Sequence, residues 1–572
     1  MQEEKKKTRG GNMKKNFLLI LTCLLLAALV GCGNKEGNDD KDAVIIKVSE
    51  NGVVGDGKTD DAAAIDAVLD TARMKGREGQ KVIIEFEKDK VYYCKDKYRE
   101  SALFDLQGCK NLTLRGDNTT LLLDKSMKLV NWFNINESEN IKLEGFNLKY
   151  AQAHYTLSKV DAVSLTDEPY LDVTTDISLG ITEKYEAGFI QSHGESYAFA
   201  LPYTNDVNRM HIYVNSIEPL DAAANKYRVH IRYYDDHEDK INYMLEHNLP
   251  LILGVPGWGR YGQEDGSGSV IVTNTKNLEI KNFNVWDSST MVFHMRNNYG
   301  EIHLQNCNVT PEPGSDDVLV SWVDIFHIKE NRAKFIIEDS TFEKAQDDVF
   351  NFSVTNLQVD DVISETEVTL KCKALGGYWM PLEVGDTITF VHERAGHFVG
   401  RTTIKEVKQQ GETTHIVVND AMPMLGAGVV AYVDSLGQPG SIIRNCKISG
   451  TYRFRTEITL ENCELNTVYA WVDNYPTSEG PIPRNITFRK CKFNSVKAED
   501  PEVCYISSEY MMQIGAQTIP TSGIPAYYSA DNIVFEDCDI DHTLINFMDN
   551  SANVSFIKDG KEYFSVKAKT RP

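Results

Sequence analysis

The chain has 572 residues, 42% of them hydrophobic and 25% charged, a composition typical of folded globular proteins and unlike disordered or membrane-embedded chains. Its formal net charge is −23; the six Lys/Arg and two Glu before residue 32 contribute +4, which leaves −27 for the remainder. This acidity argues against nucleic acid or an anionic lipid surface as the main partner. It favours a neutral substrate over a strongly anionic one.

The N-terminus has the pattern of an export signal. Two lysines precede an apolar run over 17–30, which is shorter than a comfortable membrane span. The run ends in LVGC at Cys32, which resembles the signal of bacterial lipoproteins with Cys32 as the lipid-modified residue. We therefore expect a signal segment over 1–32, a flexible tether over 33–43 and a lipid-anchored location in the cell envelope. A plain secretory signal cut nearby is the alternative.

The first folded segment, 43–75, combines a strand, the glycine-rich turn GVVGDGKTDD and an alanine-rich helix. Asp60 or Asp61 stands where a helix N-cap is expected. The segment resembles the start of many right-handed parallel β-helix enzymes that act on carbohydrates. In those proteins such a helix covers the open end of the coil, where backbone groups would otherwise lack partners.

A short phrase then recurs along the chain. Each copy has alternating apolar residues, a polar pair, one small or apolar position and a further short strand. Alternation with period two predicts strands, and recurrence of the same position predicts stacked coils about 4.8 Å apart. The copies occupy 111–116, 140–150, 277–287, 301–309, 334–342, 441–449, 457–465, 485–493 and 532–540.

Five of the eleven cysteines occupy the same small-residue position of this phrase. They are Cys307, Cys446, Cys463, Cys491 and Cys538. We interpret them as an internal ladder of small hydrophobic side chains, and not as disulfides or a metal site, because no Cys/His cluster has metal-ligand spacing.

A second phrase, Phe then Asn or His then an apolar residue, follows the first at 133–135, 293–295, 326–328 and 350–352. Two phrases in a constant order predict an all-β fold, a right-handed parallel β-helix with an N-terminal capping helix.

Two stretches interrupt the repeats and predict inserted β domains, small antiparallel barrels or sandwiches that project beside the coil. The predicted boundaries are 44–150 for the N-terminal part of the β-helix, 151–268 for the first insertion, 269–353 for the catalytic coils, 354–439 for the inserted barrel and 440–572 for the C-terminal part.

Three aspartates fall on two neighbouring coils: Asp324 in DIFH, and Asp347 and Asp348 in QDDVFN. Hydrolysis of a glycosidic bond needs one carboxylic acid and one carboxylate, and neighbouring carboxyls raise each other's pKa. A solvated turn with a capping aspartate is the alternative, but recurrence in register favours catalysis. Because neighbouring strand residues point to opposite faces, we predict a bend at 346–348.

These features together resemble glycoside hydrolase family 110, the exo-acting α-1,3-galactosidases, from about Val44 to the C-terminus and most specifically over 322–351. The resemblance implies a β-helix with inserted barrels that removes terminal α-galactose from glycans, with inversion and without a metal or other cofactor. The family's conserved carboxylates correspond to Asp324, Asp347 and Asp348. The similar arrangement in inverting β-helix pectin hydrolases implies Asp347 as the general acid, with Asp324 and Asp348 holding and activating the water. Inversion usually needs carboxyls about 6.5–9.5 Å apart, whereas Asp324 and Asp348 are expected about one strand spacing apart.

Polar residues of the second phrase are candidates to bind sugar hydroxyls, with a structural polar ladder as the alternative. They are His294, Arg296, His327 and Asn351. Aromatic residues at Trp286, Tyr299 and Trp322 are candidates to stack on a sugar face, although each is more often a packing residue. Glu479 is a further contact candidate, because Trp471 and Ser478-Glu479-Gly480-Pro481 resemble a family segment of Trp followed by Glu-Ser-Gly-Pro.

The sequence departs from the family pattern in two places. Asn351-Phe352-Ser353 stands where a histidine follows in the family, and an arginine-rich coil is compressed so that Arg453 and Arg455 match imperfectly. Three other functions stay open, the first of which is a different β-helix glycosidase. A β-helix polysaccharide lyase would need a basic cluster facing the groove, and a non-catalytic glycan-binding protein would keep only the scaffold. The oligomeric state is not predicted.

Overall fold

The protein is described here as a computed structural model. It describes residues 42–95, 102–124, 131–166, 168–186, 198–200, 210–212, 214–231, 237–246, 248–256, 258, 268–371, 380–392, 397–472, 479–495, 510–515, 530–548 and 552–568. The chain divides into Met1–Val44 and Ile45–Pro572, and the site and fold described below belong to the second unit. The predicted signal segment and lipid-modified Cys32 lie outside the described residues. Within those ranges, no helix has the length and hydropathy that a membrane crossing requires.

The chain folds into a parallel β-helix, which confirms the predicted fold class. Each coil contributes to three ladders of parallel strands. The first ladder contains Val82–Glu85, Lys110–Leu123, Glu139–Tyr150, Lys276–Val285, Tyr299–Val309, Lys334–Glu338, Ser441–Arg444, Ile458–Glu461, Arg484–Arg489, Ala530–Glu536 and Ala552–Lys558.

The second and third ladders complete each coil. The second contains Asp56–Asp60, Val91–Cys94, the later halves of the long strands of the first ladder, Thr341–Phe342, Lys447–Phe454, Glu464–Val472 and Lys492–Ser495. The third contains Phe104–Asp105, Phe133–Asn136, Val270–Thr273, Phe293–Arg296, Phe326–Lys329, Asp348–Thr355, the later halves of Lys447–Phe454 and Glu464–Val472, Met512–Ile514 and Ile545–Phe547.

The recurring apolar positions fill the inside of the coil. In the third ladder, Phe293, Phe326 and Phe350 stack with ring centroids 4.8 Å apart, the spacing of adjacent strands. At the small-residue position of the first phrase, Cys307 lies in register with Phe283. Every cysteine among the described residues is free, so the cysteine ladder is packing and the structure shows no disulfide in these ranges.

One coil separates the copies of the second phrase at 133–135 and 293–295, which follow one another in the sequence. Val270–Thr273 pairs with Phe133–Asn136 on one side and with Phe293–Arg296 on the other. Its residues Val-Ile-Val lack the Phe and the polar residue of the second phrase, so the search for that phrase does not detect this coil.

An asparagine ladder adds to the two predicted ladders. Asn111, Asn140 and Asn277 each begin a phrase with φ between 51° and 61°, a left-handed conformation that asparagine tolerates better than most residues. The Asn140 amide donates to Asn111 Oδ1 at 2.9 Å, and Asn277 donates to Asn140 Oδ1 at 2.9 Å. This ladder fixes the same corner on successive coils.

The helix Ala62–Arg77 packs its apolar face, which includes Ile65 and Leu69, on the first coil. Asp61 occupies the N-cap but makes no side-chain cap bond; its carboxylate instead accepts from the amides of Val54 and Gly55. The expected cap is supplied by Asp60, whose Oδ1 accepts from the Ala62 amide at 3.1 Å.

Other short elements complete the chain. The strand Val44–Lys47 opens it, and Lys561–Val566 pairs antiparallel with Ala552–Lys558 at the far end. The 3-10 turns are Val48–Asn51, Ala222–Ala224, Asp434–Leu436 and His542–Leu544.

Both predicted insertions are β domains. The first is an eight-stranded antiparallel sheet with the helix His237–Glu246. Its order is Tyr185–Glu186, Val214–Asp221, Lys226–Ile231, Tyr170–Thr175, Tyr155–Ser164, Leu251–Gly254, Ala198–Ala200 and Met210–Ile212. The second is a closed barrel of Leu357–Ser364, Glu367–Lys371, Thr413–Val418, His397–Gln410, Thr387–His392 and Val429–Val433.

Candidate active site

The predicted aspartate trio comes together on two adjacent coils. Asp324 precedes the strand Phe326–Lys329, and Asp348 begins the strand that pairs with it. The Ile325 amide donates to the Asp348 carbonyl at 2.9 Å. One carboxylate oxygen from each of Asp324, Asp347 and Asp348 lies within 4.8 Å of the other two. Stacking of coils thus converts a sequence repeat into a compact carboxylate cluster.

A local bend lets both members of the doubled aspartate face the cluster. Gln346 and Asp347 have bend geometry, and the register with the next coil shifts between Asp348 and Phe350. This is the position where the sequence predicts a bend. The irregularity removes the alternation that would otherwise send the two carboxylates to opposite faces.

Asp324 is buried in the cluster and is 3% exposed. Its Oδ2 is 2.7 Å from His327 Nδ1, and its Oδ1 accepts from the Asp348 amide at 3.2 Å. Burial, reinforced by the charges of Asp347 and Asp348, raises the pKa of Asp324 well above its ordinary value. The cluster therefore retains a proton in conditions where a surface aspartate would lose it.

His327 is held in the neutral form. Burial lowers the pKa of His327 well below its ordinary value, and the positive charge of Lys329 lowers it further. A neutral imidazole has one N–H and one acceptor nitrogen. His327 can therefore share a single proton with Asp324 across their 2.7 Å contact without adding a charge to the site.

Asp348 forms an ion pair with an arginine. Its Oδ1 accepts from the Thr451 hydroxyl at 3.0 Å, and its Oδ2 is 2.6 Å from Arg453 Nε. The Arg453 guanidinium lies over the Trp471 ring, 4.5 Å from its centroid. Burial opposes the charge of Arg453, but Asp348 and the neighbouring carboxylates outweigh it and raise its pKa. This ion pair favours the ionised form of Asp348.

Exposure distinguishes Asp347 from the other two. Asp324 and Asp348 are each 3% exposed, whereas Asp347 is only partly buried. Of the three carboxyls, Asp347 is therefore the one best placed to approach an atom of a bound ligand.

A second charged cluster lies beside the trio and centres on Glu479. Its Oε1 accepts from Lys329 Nζ at 2.8 Å and from the side-chain Nδ2 of Asn351 at 3.3 Å. Its Oε2 accepts from Arg455 Nη1 at 2.8 Å. Burial acts to raise the pKa of Glu479, but Lys329, Arg455 and Arg453 together hold it well below its ordinary value. Glu479, a predicted substrate contact, is thus an ionised carboxylate held in place beside the aspartate trio.

The barrel insertion packs against the strand that carries Glu479. The strand Glu479–Gly480 pairs antiparallel with the end of Asp348–Thr355. A Cβ added at Gly480 would lie 2.4–2.7 Å from ring atoms of Tyr432 in the barrel, so only glycine allows this close approach. The barrel therefore helps to set the position of Glu479.

The first insertion supports the segment before Asp324 in a similar way. Tyr155 and Ile252 of the inserted sheet form a buried cluster with Leu319, Trp322 and Val323. Trp322 is only 3% exposed. It is therefore packing that anchors this segment, and the expectation that it could stack on a sugar is wrong.

The other candidate contacts lie in register along the third ladder. His294 pairs with His327, which pairs with Asn351. Arg296 donates from Nε to His294 Nε2 at 3.1 Å and its Nη1 is 3.4 Å from Glu330. His327 and Asn351 thus reach the two charged clusters directly, and His294 and Arg296 lie one coil away.

Two arginines that match the family pattern imperfectly join the site. Arg453 lies in register with Asn351, one coil beyond Asp348, and Arg455 follows on the same coil. The sequence signal for both was the alternation in the phrase GTYRFRTE, whose apolar residues continue the third ladder. Sequence alone does not indicate which carboxylate each arginine meets.

Carboxylate clusters also bind hard cations, and the trio has the number of groups for this. His327, Thr451 and Arg453 already contact oxygens of Asp324 and Asp348. Arg453 supplies the positive charge that a cation would bring.

No protein-family model matches the chain. It is 24% identical over 318 residues to alpha-1,3-galactosidase A of Bacteroides thetaiotaomicron, a match that covers 53% of this chain and 51% of the relative. The chain thus matches about half the length of this curated relative.

Solved structures similar to the chain are distant. An exopolygalacturonase of Thermotoga maritima has 10% identity and a TM-score of 0.38, with 92% of this chain and 95% of that chain covered. The A-module of a mannuronan C-5 epimerase of Azotobacter vinelandii has 10% identity and a TM-score of 0.28, with 92% and 100% covered. The fold itself follows from the strand register of this chain.

Proposed function

We propose that the protein is an exo-acting glycoside hydrolase that removes terminal α-1,3-linked galactose from glycans. The observation that carries this proposal is the carboxylate trio, with oxygens within 4.8 Å of one another, one member paired with Arg453 and another bonded to neutral His327. The name of the curated relative supports galactose as the sugar, and the resemblance to glycoside hydrolase family 110 supports the linkage.

The three carboxyls have different tasks in this proposal. Asp348, ionised beside Arg453, accepts a proton from the attacking water. Asp324 helps to orient that water and keeps a proton within the cluster. The proton retained in the cluster passes to Asp347, the partly exposed member, which donates it to the glycosidic oxygen as the bond to galactose breaks. The proton that Asp348 takes from the water then replaces it in the cluster. Glu479, His327 and Asn351 contact sugar hydroxyls.

Incubation with α-1,3-linked galactosides, with and without EDTA, tests the proposal. We expect free galactose in both cases, because no step requires a metal, and β-galactose as the first anomer seen by NMR. Protein that releases no galactose from α-linked substrates would overturn the assignment. The carboxyl oxygens of the trio are closer together than the about 6.5–9.5 Å usual for inversion, so the stereochemistry is tested separately from hydrolysis. If α-galactose is the first product, inversion is overturned and the assignment as a hydrolase is kept.

The charges near the trio do not favour a polysaccharide lyase. A lyase needs a basic residue available to remove a proton beside a uronate carboxyl. Lys329 and Arg455 are bound to Glu479, and Arg453 is bound to Asp348. A product that absorbs as an unsaturated uronic acid would nevertheless identify a lyase directly.

We also propose that Cys32 carries a lipid that anchors the mature protein to the cell envelope. The support is the apolar run that ends in LVGC. Cells grown with a labelled fatty acid should yield labelled protein in the membrane fraction, and Cys32→Ser should abolish the label. Unlabelled wild-type protein secreted into the medium would contradict this anchor.

A further inference from the structure

A polar cavity lies where the inserted barrel meets the coil. It has a volume of about 180 Å³, and its walls include Arg401 and Asp434 from the barrel and Glu457 and Asn485 from the coil. Glu457 and Asn485 also line a neighbouring open trough of about 440 Å³ on the coil. No residue of the aspartate trio lines either space.

Asp434 has an unsatisfied oxygen at this cavity. Its Oδ2 accepts from the Thr389 hydroxyl and from Arg401 Nε, each at 2.7 Å. Its Oδ1 is buried and has no hydrogen-bond partner among the residues that the structure describes. A buried carboxylate oxygen without a donor is costly, so this atom indicates a missing O–H or N–H group.

The charges in the cavity limit what that group can belong to. Asp434 and Glu457 repel an anion, and Arg401 and Arg484 repel a cation. The remaining charged residue of the walls, Arg455, is neutralised by its ion pair with Glu479. Guanidinium donors and carboxylate acceptors side by side suit a ligand that is neutral and both donates and accepts, as sugar hydroxyls do. The volume of about 180 Å³ is many times the about 10–15 Å³ that one ordered water needs, so a ligand larger than water fits.

The trough continues the same chemistry along the coil. Thr459 and Thr487 lie in register on adjacent coils, and Asn532 extends the row through a 2.8 Å bond to Asn485. Hydroxyl and amide groups repeated along a coil can meet successive sugars of one chain.

We propose that the cavity and trough form a second, non-catalytic glycan-binding groove that holds a neutral hexose on Asp434 and the following sugars along the trough. This inference concerns a surface distinct from the trio and does not depend on the proposed hydrolase activity. A groove of this kind would keep a polymeric or cell-surface glycan attached to the protein.

Binding of lactose, cellotriose and maltotriose to the full chain, measured by saturation-transfer NMR and calorimetry, tests the groove. We expect at least one sugar to bind the wild type and Asp347→Asn equally. Asp434→Asn can keep its carbonyl toward Thr389 and Arg401 while placing an amide group at the Oδ1 position, so we expect binding at least tenfold weaker. Pro439→Trp, at the exposed rim, should weaken binding without changing these bonds.

Each outcome decides the proposal. Loss of binding in Asp434→Asn and Pro439→Trp, with unchanged melting temperature in at least one of them, supports the groove. The proposal is overturned if no sugar binds, if both variants bind like the wild type, or if Asp347→Asn removes the only binding. Because binding is measured without turnover, failure of the hydrolase assignment would not alter these readouts.

Discussion

Replacement of Asp347 by asparagine is expected to reduce galactose release from α-1,3-linked oligosaccharides by about 10²–10⁴-fold, the usual contribution of a general acid. With a dinitrophenyl α-galactoside the loss should be less than tenfold, because this leaving group departs without a proton. Steady-state rates on the two substrates measure the difference.

The same pair of substrates separates the roles within the trio. Asp348→Asn should lower both rates, because the attacking water loses its base, and azide should partly restore the rate on the activated substrate. Asp316→Asn changes an exposed aspartate of another Asp-Asp pair and should leave both rates unchanged. If Asp348→Asn spares the activated substrate and Asp347→Asn does not, the two roles are reversed.

Folding of the trio variants can be checked against a specific expectation. In Asp324→Asn, the new carboxamide can still accept from the Asp348 amide and donate to His327. Because the folded pKa of Asp324 is raised, its contribution to stability is complete below its unfolded pKa and is lost as pH rises through the folded pKa. Asp324→Asn should therefore melt higher than the wild type at pH 8 while it loses activity.

Replacement of Glu479 by glutamine is expected to destabilise the fold by about 3–5 kcal/mol, because it leaves Lys329 and Arg455 buried without a counter-charge. The thermal midpoint near neutral pH measures the loss. Because the folded pKa of Glu479 is lowered, its stabilising effect is present above its unfolded pKa and is lost as pH falls through the folded value. The thermal midpoints of the wild type and Glu479→Gln should therefore become equal at acid pH.

Matched variants make the Glu479 result specific. Glu301→Gln breaks an ion pair with Lys334 in which both side chains are about half exposed, and it should cost less than about 1 kcal/mol. Adding Lys329→Met to Glu479→Gln should recover part of the stability. A cost for Glu479→Gln no larger than that for Glu301→Gln would contradict the buried network.

Glu479 can also be moved without changing its charge. In Gly480→Ala the added methyl group meets the Tyr432 ring of the barrel, so the strand that carries Glu479 must shift. The control, Gly426→Ala within the barrel, adds a methyl group into open space. We expect only Gly480→Ala to raise KM for the glycan. Equal KM values in the two variants would argue against a contact between Glu479 and substrate.

Much of the fold was readable in the sequence because each phrase carries its own local signal. Alternating apolar residues and a recurring small position indicated the ladder of Cys307 and Phe283, and the Phe phrase indicated the stacked rings of Phe326 and Phe350. The coil Val270–Thr273 escaped, because a strand whose residues are all apolar has no distinctive position to align. The asparagine ladder was not predicted because the phrase was defined by its apolar residues, although Asn111, Asn140 and Asn277 recur at its start.

The candidate site divides in the same way. The recurrence of aspartate on neighbouring coils predicted that Asp324 and Asp348 would meet, and the need for both Asp347 and Asp348 to face one groove predicted the bend. Trp322 was misleading because its neighbours along the chain do not reveal the inserted sheet that covers it. Arg453 lies beyond the whole barrel insertion, and no local pattern links it to Asp348.

The sequence by itself determined the β-helix, its two insertions and the carboxylate trio, because burial of apolar side chains at a fixed period is a local requirement repeated in every coil. Only the tertiary structure decided which charges neutralise one another. Arg453 meets Asp348 across 105 residues, and Lys329 meets Glu479 across 150. Such pairs depend on how coils and insertions stack, and electrostatic partners leave no periodic trace in the chain.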